Sequence, residues 1–314
     1  MFFDALTVDR IGLPGQNEFT TWETIGSVIV ITKKPLTELP SFDVEAKDCP
    51  SESAIESYQR DGVVCLRNAF DFDWIKSLQS AVDIAIADGV RMGSDLAVNV
   101  AKPGEPGFFF YDMFLWKRYD FFREFAFNSP AADLARKIMR SKSIIFYYDL
   151  ILSKEPGTTS PTPWHYDEAY WPVFGTQICN LWTALDSIPK ETALRFIRGS
   201  HRLETDYRAV GFGPQIEYSG QNDPIPPDWD SDPGDHEIVY ASLEPGDCLI
   251  INLRTHHSAP GNPPHGGRRR ALATHWLGDD ARYNNKLWEC DPNERGENLQ
   301  HGGSMECETF RRVR

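Results

Sequence analysis

Short apolar segments separated by turn residues recur through the second half of this chain of 314 residues. They are rich in β-branched and aromatic side chains, and little helical periodicity accompanies them. Several short strands with turns between them are typical of an antiparallel sandwich or barrel. We expect these strands at residues 178–185, 194–197, 238–243, 248–253 and 271–277.

The first half carries the helical signals. Apolar residues recur at three- and four-residue steps from 71 to 87, which predicts an amphipathic helix that ends near Gly89. Shorter helices are expected over 51–60 and after Pro130, where proline suits a first turn. Further strands are expected at residues 25–33, 63–66 and 143–152.

Composition limits the partners of the chain. The net charge of -14 and the pI near 5.0 argue against nucleic acid and anionic membrane surfaces. The six cysteines are scattered, which indicates idle thiols in a reducing compartment. We find no secretory signal pattern and no apolar run of the roughly 18 to 20 residues that span a bilayer. We therefore expect a cytoplasmic protein that acts on a small molecule, with a homo-oligomer left open.

His165 and Asp167 are the first candidates for a metal site. If they lie on one strand, residues two apart point to the same face and can converge on one point. An imidazole and a carboxylate are two thirds of the 2-His-1-carboxylate triad that holds non-haem Fe(II) and leaves coordination positions open. The alternative is a surface strand on which both side chains face water.

Two further features follow late in the chain. His256 and His257 come after the predicted strand at 248–253, and either could supply a third ligand. Arginines occupy 268–270, and the planar guanidinium can bind a carboxylate through two parallel hydrogen bonds. Iron and a nearby arginine together are what a 2-oxo acid co-substrate needs. The alternative for the arginines is a solvated turn.

The order of these motifs resembles the phytanoyl-CoA dioxygenase family of Fe(II)- and 2-oxoglutarate-dependent oxygenases. The resemblance runs from about residue 58 to about residue 276. It implies a mainly β fold with flanking α-helices around a double-stranded β-helix, the jelly-roll or cupin-like core. It rests on His165-Tyr166-Asp167, Trp182-Thr183-Ala184-Leu185, Gly199-Ser200-His201, Gly246-Asp247, His257 with Asn262, and Arg269-Arg270-Ala271-Leu272.

The resemblance also implies individual roles. His165, Asp167 and His257 would hold the iron; His257 is preferred to His256 because family members place an asparagine five positions after the distal histidine. Arg269 would bind 2-oxoglutarate, and Trp182 would border its pocket. The implied reaction consumes O2 and releases succinate and CO2.

One departure concerns the co-substrate pocket. Family members often carry Ser or Thr two residues after the distal histidine, where this chain has Ala259. Ser258 or another hydroxyl would have to substitute, or Arg269 acts with less help. In related halogenases a small residue replaces the metal carboxylate, so Asp167 favours hydroxylation or another oxidation.

The substrate is only outlined by the sequence. Tyr148, Tyr170, Trp171 and Phe110 could wall a pocket for an apolar or cationic small molecule, although core packing explains them equally well. Outside 268–270 we find no basic cluster for the phosphates of coenzyme A, which favours a small free metabolite or natural-product intermediate.

We expect one domain over 1–314. Its parts would be an N-terminal extension (1–50), a helix-rich flank (51–140), a jelly-roll core (143–277) with an insert loop (203–237), and a C-terminal tail (278–314). The insert loop is rich in Pro, Gly and Asp and is a candidate lid. Two other functions stay open: a cupin-like binding protein without redox chemistry, and a zinc hydrolase that uses the same ligands.

Overall fold

Two β-sheets packed face to face form the centre of the protein. The computed structural model describes residues 19–25, 28–44, 50–92, 97–100, 104, 106–213, 218, 222–286, 290 and 292–314. Within these residues, the larger sheet has eight strands and the smaller has five. This arrangement confirms the expected antiparallel sandwich, apart from two parallel pairings at the sheet edges.

The strands are short, as the turn signals predict. Most pair with antiparallel neighbours, and the strand β9 lies at one edge of the smaller sheet. Their bounds are β1 Phe19–Ile25, β2 Val28–Lys34, β3 Thr37–Glu38, β4 Ser41–Asp43, β5 Val63–Arg67, β6 Ala97–Asn99, β7 Phe109–Met113, β8 Ile145–Lys154, β9 Thr162–His165, β10 Val173–Phe174, β11 Ile178–Ala184, β12 Arg195–Ile197, β13 Ile238–Tyr240, β14 Cys248–Asn252, β15 His257–Ala259, β16 Arg269–Leu277 and β17 Arg282–Tyr283.

The order of strands places the candidate functional site, described in the next section, between the two sheets. The larger sheet runs β4-β5-β14-β11-β16-β8-β7-β6, and the smaller runs β3-β13-β12-β15-β9. The strands β1 and β2 pair as a separate hairpin, and β10 pairs with β17. The expected strand over 25–33 is therefore the second strand of that hairpin, and it begins at Val28.

The α-helices that the structure describes all precede β8 in the chain. Ser51 caps the first one, because its hydroxyl accepts a hydrogen bond from the Ala54 N–H, and Gly62 ends it in the left-handed conformation at φ 79°. The bounds are α1 Glu52–Asp61, α2 Phe72–Met92, α3 Leu115–Arg118, α4 Asp120–Asn128 and α5 Ala131–Ile138.

Apolar side chains fill two layers, one on each side of the larger sheet. On β14, Leu249 and Ile251 pack between the two sheets, whereas Cys248 and Ile250 pack on the side that carries the helices. This alternation follows from the two-residue period of a strand. Because both faces are buried, the strands appear in the sequence as continuous apolar runs rather than alternating ones.

The predicted end of α2 at Gly89 is wrong. The helix continues to Met92, and a Cβ atom at position 89 would lie only 2.7 Å from Cζ of Phe110. The glycine therefore provides room for close packing of α2 on β7 and does not terminate the helix.

The C-terminal residues pack on the sheet. The Val313 N–H donates to the carbonyl of Ile144, and the Phe146 N–H donates to the carbonyl of Arg311. The ring of Phe310 is fully buried, with its centroid 4.8 Å from that of Tyr147. The end of the predicted C-terminal tail is therefore packed against β8.

Candidate metal centre

Three side chains converge between the sheets. His165 at the end of β9 and His257 at the start of β15 are directly paired across the antiparallel ladder. Their Nε2 atoms lie 4.0 Å and 3.8 Å from Oδ1 of Asp167. One ligand atom from each residue lies within 4.8 Å of the others, and all three residues are buried. This spacing fits a single metal ion.

The backbone around Asp167 differs from the expected strand. The strand β9 ends at His165, and Asp167 begins a 3₁₀ helix, Asp167–Ala169. Tyr166 between them is still extended, with φ -136° and ψ 148°. Side chains two residues apart therefore still share a face, although a regular strand covers only the first of them.

Hydrogen bonds orient both imidazoles toward the carboxylate. Nδ1 of His165 lies 2.8 Å from the carbonyl of Pro163, and Nδ1 of His257 lies 2.9 Å from the carbonyl of Thr255. A carbonyl oxygen only accepts, so each Nδ1 carries the proton and each Nε2 presents a lone pair. Backbone contacts of this kind are the usual way in which a metal-binding histidine is held in one tautomer.

The electrostatics of the centre suit a divalent cation. Burial, helped by the neighbouring His257, holds the pKa of His165 well below its ordinary value, so this ligand is neutral. Burial raises the pKa of Asp167, and Nδ2 of Asn180 donates to its Oδ2 at 3.4 Å. Two imidazoles and one carboxylate on one side of a cavity are the donor set of the open iron triad, and the residues present fit it.

Arg269 and Arg270 point in opposite directions from the start of β16. The guanidinium of Arg269 is buried against Trp182, 5.6 Å from the ring centroid, and burial lowers its pKa to about 10. Among the described residues, its Nε has no hydrogen-bond partner. Arg270 instead forms a bidentate ion pair with Asp186, with Nη2–Oδ1 and Nε–Oδ2 distances of 2.7 and 3.0 Å.

One cavity contains the triad, Arg269 and Trp182. It holds about 980 Å³ of space, its open mouth included. Tyr148, Tyr170 and Trp171 line it as the sequence suggests, together with Ser258 and Ala259. All the residues proposed from the sequence, except Phe110, thus meet at one place.

Phe110 is the exception and needs correction. Along β7, Phe109 and Tyr111 face the cavity, whereas Phe110 faces the opposite side, beneath α2 and stacked on Phe108 at 5.4 Å. The reason is the alternation of side chains along a strand.

The sequence profile of the phytanoyl-CoA dioxygenase family matches residues 58–271, more than half of the chain. The chain belongs to this family. As a member of the phytanoyl-CoA dioxygenase family, it is a 2-oxoglutarate-dependent dioxygenase that uses iron. None of the helices in the described residues has the length and apolar character that crossing a membrane requires.

Solved structures share the fold. The carbocyclase SnoK from nogalamycin biosynthesis superposes with a TM-score of 0.65 at 20% identity, covering 84% of this chain and 96% of SnoK. The epimerase SnoN, in complex with Fe3+, alpha ketoglutarate and nogalamycin RO, gives 0.63 at 20% identity, covering 84% and 98%. EctD from S. alaskensis, with 2-oxoglutarate and 5-hydroxyectoine, gives 0.63 at 17% identity, covering 86% and 92%. The expected jelly-roll core is thereby confirmed. No curated protein sequence matches this chain.

Several cavity residues of this family member were missed in the sequence, among them Lys154, His275, Phe212 and Tyr218. Lys154 lies six residues after Tyr148 on β8, and His275 lies six residues after Arg269 on β16. Residues an even number apart on a strand share a face, so this spacing could have identified both. Phe212 and Tyr218 belong to the insert loop, where no periodic pattern assigns a direction to a side chain.

His256 and His201 lie away from the triad face. The backbone N–H of His256 donates to Oγ of Ser200, and burial lowers the pKa of its imidazole to about 3. Its ring packs against Tyr166 and Tyr207, with centroid distances of 5.1 and 5.2 Å. His201 contacts the carbonyl of Gln59 at 3.1 Å, as a structural role requires. The preference for His257 over His256 thus has a geometric basis.

Proposed function

We propose that this chain hydroxylates a small-molecule metabolite or natural-product intermediate, with Fe(II) held by His165, Asp167 and His257 and with 2-oxoglutarate held by Arg269. The observation that carries the proposal is the presence, in one cavity, of the triad and of a buried arginine that lacks a carboxylate partner among the described residues. O2 is the second co-substrate, and succinate and CO2 are the co-products.

The side chains of the cavity have separate roles in the proposed reaction. Bound Fe(II) supplies the activation of O2 that is coupled to decarboxylation of 2-oxoglutarate. The three side chains that would hold the iron lie together at one wall, so the rest of the cavity would be left for the co-substrates and the substrate. Arg269 holds the remote carboxylate, and the ring of Trp182 keeps the guanidinium in place.

The cavity walls support a neutral, largely apolar substrate. Tyr170, Phe212 and Tyr218 form an aromatic group beside His165; the Phe212 ring centroid lies 4.7 Å from that of His165. Asp167 is the only carboxylate among the described lining residues, so no acidic group is left to pair with a cationic substrate. SnoN and EctD, which share the fold, were solved with nogalamycin RO and 5-hydroxyectoine, and both are small molecules.

His275 adds a polar group to the cavity wall. Nδ1 of His275 lies 3.1 Å from the carbonyl of Tyr148 and therefore carries the proton, which leaves Nε2 as an acceptor. Burial lowers the pKa of His275 to about 3, so the imidazole is neutral at physiological pH. We expect the substrate to carry a hydroxyl or amide donor that meets Nε2.

The zinc hydrolase and the non-redox binding protein are less well supported. Neither function needs an arginine that is buried beside the metal centre without a carboxylate partner, and an unpaired buried charge is costly to keep. A hydrolase of this kind would act without O2 and release no succinate.

The test begins without substrate. Under anaerobic conditions, Fe(II) and 2-oxoglutarate added to the purified protein should produce a weak visible metal-to-ligand charge-transfer band. A metabolite screen scored by succinate release then identifies the substrate. Asp167→Ala should abolish both signals, whereas His265→Ala, a change at an exposed histidine, should retain them. Succinate release by Asp167→Ala at the wild-type rate would contradict the proposal.

The cytoplasm is the compartment we propose. None of the described cysteines 65, 179, 248, 290 and 307 forms a disulfide, as expected in a reducing environment. The acidic charge argues against nucleic acid as a partner. Cell fractionation tests the first inference, and a gel-shift assay tests the second.

A further inference from the structure

Lys154 is a second buried cation in the cavity. It ends β8 and is paired directly with Arg269 on β16, so both side chains leave the sheet on the same face. Only 1% of Lys154 is exposed to solvent, and both residues line the cavity. Its Nζ lies 4.3 Å from the ring centroid of Phe109.

No described acidic side chain neutralises this pair of cations. Neither Lys154 nor Arg269 forms an ion pair with a described residue, and burial is the largest influence on the pKa of each. Burial and the nearby Arg269 hold the pKa of Lys154 well below its ordinary value. Two unpaired cations in a buried site are unfavourable unless an anion joins them.

The ammonium lies beside the position where the chain departs from its family. Nζ donates to the carbonyls of Ser160 and Pro260, at 3.2 and 3.1 Å. Pro260 follows Ala259, which replaces the hydroxyl residue that family members often carry there. An ammonium has three N–H groups, and two of them are used by these carbonyls.

We propose that the third N–H of Lys154 binds the carboxylate of 2-oxoglutarate that is remote from the iron, in place of the missing hydroxyl at position 259. The inference rests on the proposed function. Lys154 is then a binding residue for a dicarboxylate co-substrate, and together with Arg269 it selects 2-oxo acids that end in a second carboxylate.

The experiment compares two ligands on Lys154→Met. Anaerobic protein with Fe(II) is titrated with 2-oxoglutarate and with pyruvate, a 2-oxo acid that has no remote carboxylate, and the charge-transfer band reports each Kd. We expect a loss of about 10- to 100-fold for 2-oxoglutarate, the range of one charge-assisted hydrogen bond, and less than about a twofold change for pyruvate. Lys142→Met, at an exposed lysine, is the control for the change in net charge and should leave both Kd values unchanged.

A second readout needs no iron. Succinate should raise the thermal unfolding midpoint of the metal-free wild type and should do so less for Lys154→Met. A structural role for the two carbonyl contacts predicts something else: lower stability without any ligand, and equal losses for 2-oxoglutarate and pyruvate. That pattern would overturn the inference, as would unchanged affinity for 2-oxoglutarate.

Failure of the inference can be told apart from failure of the proposed function. If wild type shows no band with 2-oxoglutarate, the proposed function fails. If wild type binds and Lys154→Met binds equally well, only the role of Lys154 fails. Should Lys154→Met not fold, Lys154→Gln replaces it, because its amide keeps two N–H donors for the carbonyls and removes the charge: an unchanged ratio of the two Kd values would contradict the proposal, and a weaker affinity for 2-oxoglutarate alone would support it.

Discussion

The hydroxyl of Tyr170 holds both backbone groups of Val210: it donates to the carbonyl at 2.7 Å and accepts from the N–H at 3.1 Å. Tyr166 does the same to Tyr207, at 3.0 and 2.9 Å. These pairs fasten the first part of the insert loop to the segment that carries Asp167. The loop in turn places Phe212 against His165.

Tyr170→Phe should loosen this loop. The ring stays, but two hydrogen bonds, worth about 1 kcal/mol each, are lost. We expect hydrogen exchange at the amide of Val210 to accelerate by about 10-fold or more, while the amide of Ile250 in the central sheet is unaffected. Exchange at Val210 that matches wild type would mean that packing alone holds the loop.

The adjacent arginines should give opposite results. Arg269→Met should weaken 2-oxoglutarate binding by about 100-fold, because the carboxylate loses a bidentate partner, without lowering the stability of the ligand-free protein. Arg270→Met leaves the partly buried Asp186 without its ion-pair partner, and we expect a loss of about 2 kcal/mol in the free energy of unfolding with little change in Kd. Chemical denaturation and the charge-transfer titration measure the two quantities. The same outcome for both variants would contradict the assignment of faces on β16.

Asn180 should support the iron without touching it. Its amide donates to Asp167, so Asn180→Ala leaves the carboxylate less firmly oriented. We expect Fe(II) affinity to fall by about 10- to 100-fold, as in other metal sites when a residue that hydrogen-bonds to a metal ligand is removed. Thr183→Ala, on the same strand, is the control. Equal metal affinity for wild type and Asn180→Ala would show that the contact is incidental.

Asp149 should make stability depend on pH. Burial raises the pKa of this fully buried carboxyl to about 7 in the folded protein, whereas an unfolded aspartate has a pKa of about 3.9. The folded state therefore binds the extra proton between these values, and the free energy of unfolding should fall as pH rises from about 4 to about 7. The total is at most about 4 kcal/mol, from about three pKa units at 1.36 kcal/mol each. Asp149→Asn should remove this slope in denaturation curves measured at several pH values; a slope that persists would point to other groups.

His275 should matter for the substrate and not for the co-substrate. His275→Phe keeps a flat ring on Tyr148, where the centroids lie 4.1 Å apart, but removes the acceptor. With the substrate found in the screen, we expect KM to rise by about 10-fold, while the charge-transfer band with 2-oxoglutarate is unchanged. A change in the band instead would place His275 in the co-substrate pocket.

The parts of the site that could be predicted depend on local chain geometry. His165 and Asp167 are two residues apart in extended chain, so their common face follows from the backbone alone. Arg269 and Arg270 must diverge for the same reason. The family motifs then supplied His257, which no local rule connects to His165 across more than 90 residues.

The parts that could not be predicted depend on strand register and on whether the two faces of a strand differ in polarity. Lys154 reaches Arg269 only because β8 and β16 pair in one particular register. Phe110 was assigned to the wrong face because both faces of β7 are buried, one toward the cavity and one toward α2. The charged residue Asp112 lies on the same face as Phe110 but is itself buried, where it pairs with Arg118. The division of 1–314 into one domain stays a prediction.

The metal centre also bears on how the smaller sheet is completed. Among the strands that the structure describes, β9 has a paired neighbour on one side only, and its ladder with β15 is irregular between His257 and Ala259. Iron bound to both histidines would bridge these two strands at their paired residues. Loading of the ion would therefore act as a final folding step for this edge, and protein made in iron-poor cells should be cleaved there first by proteases.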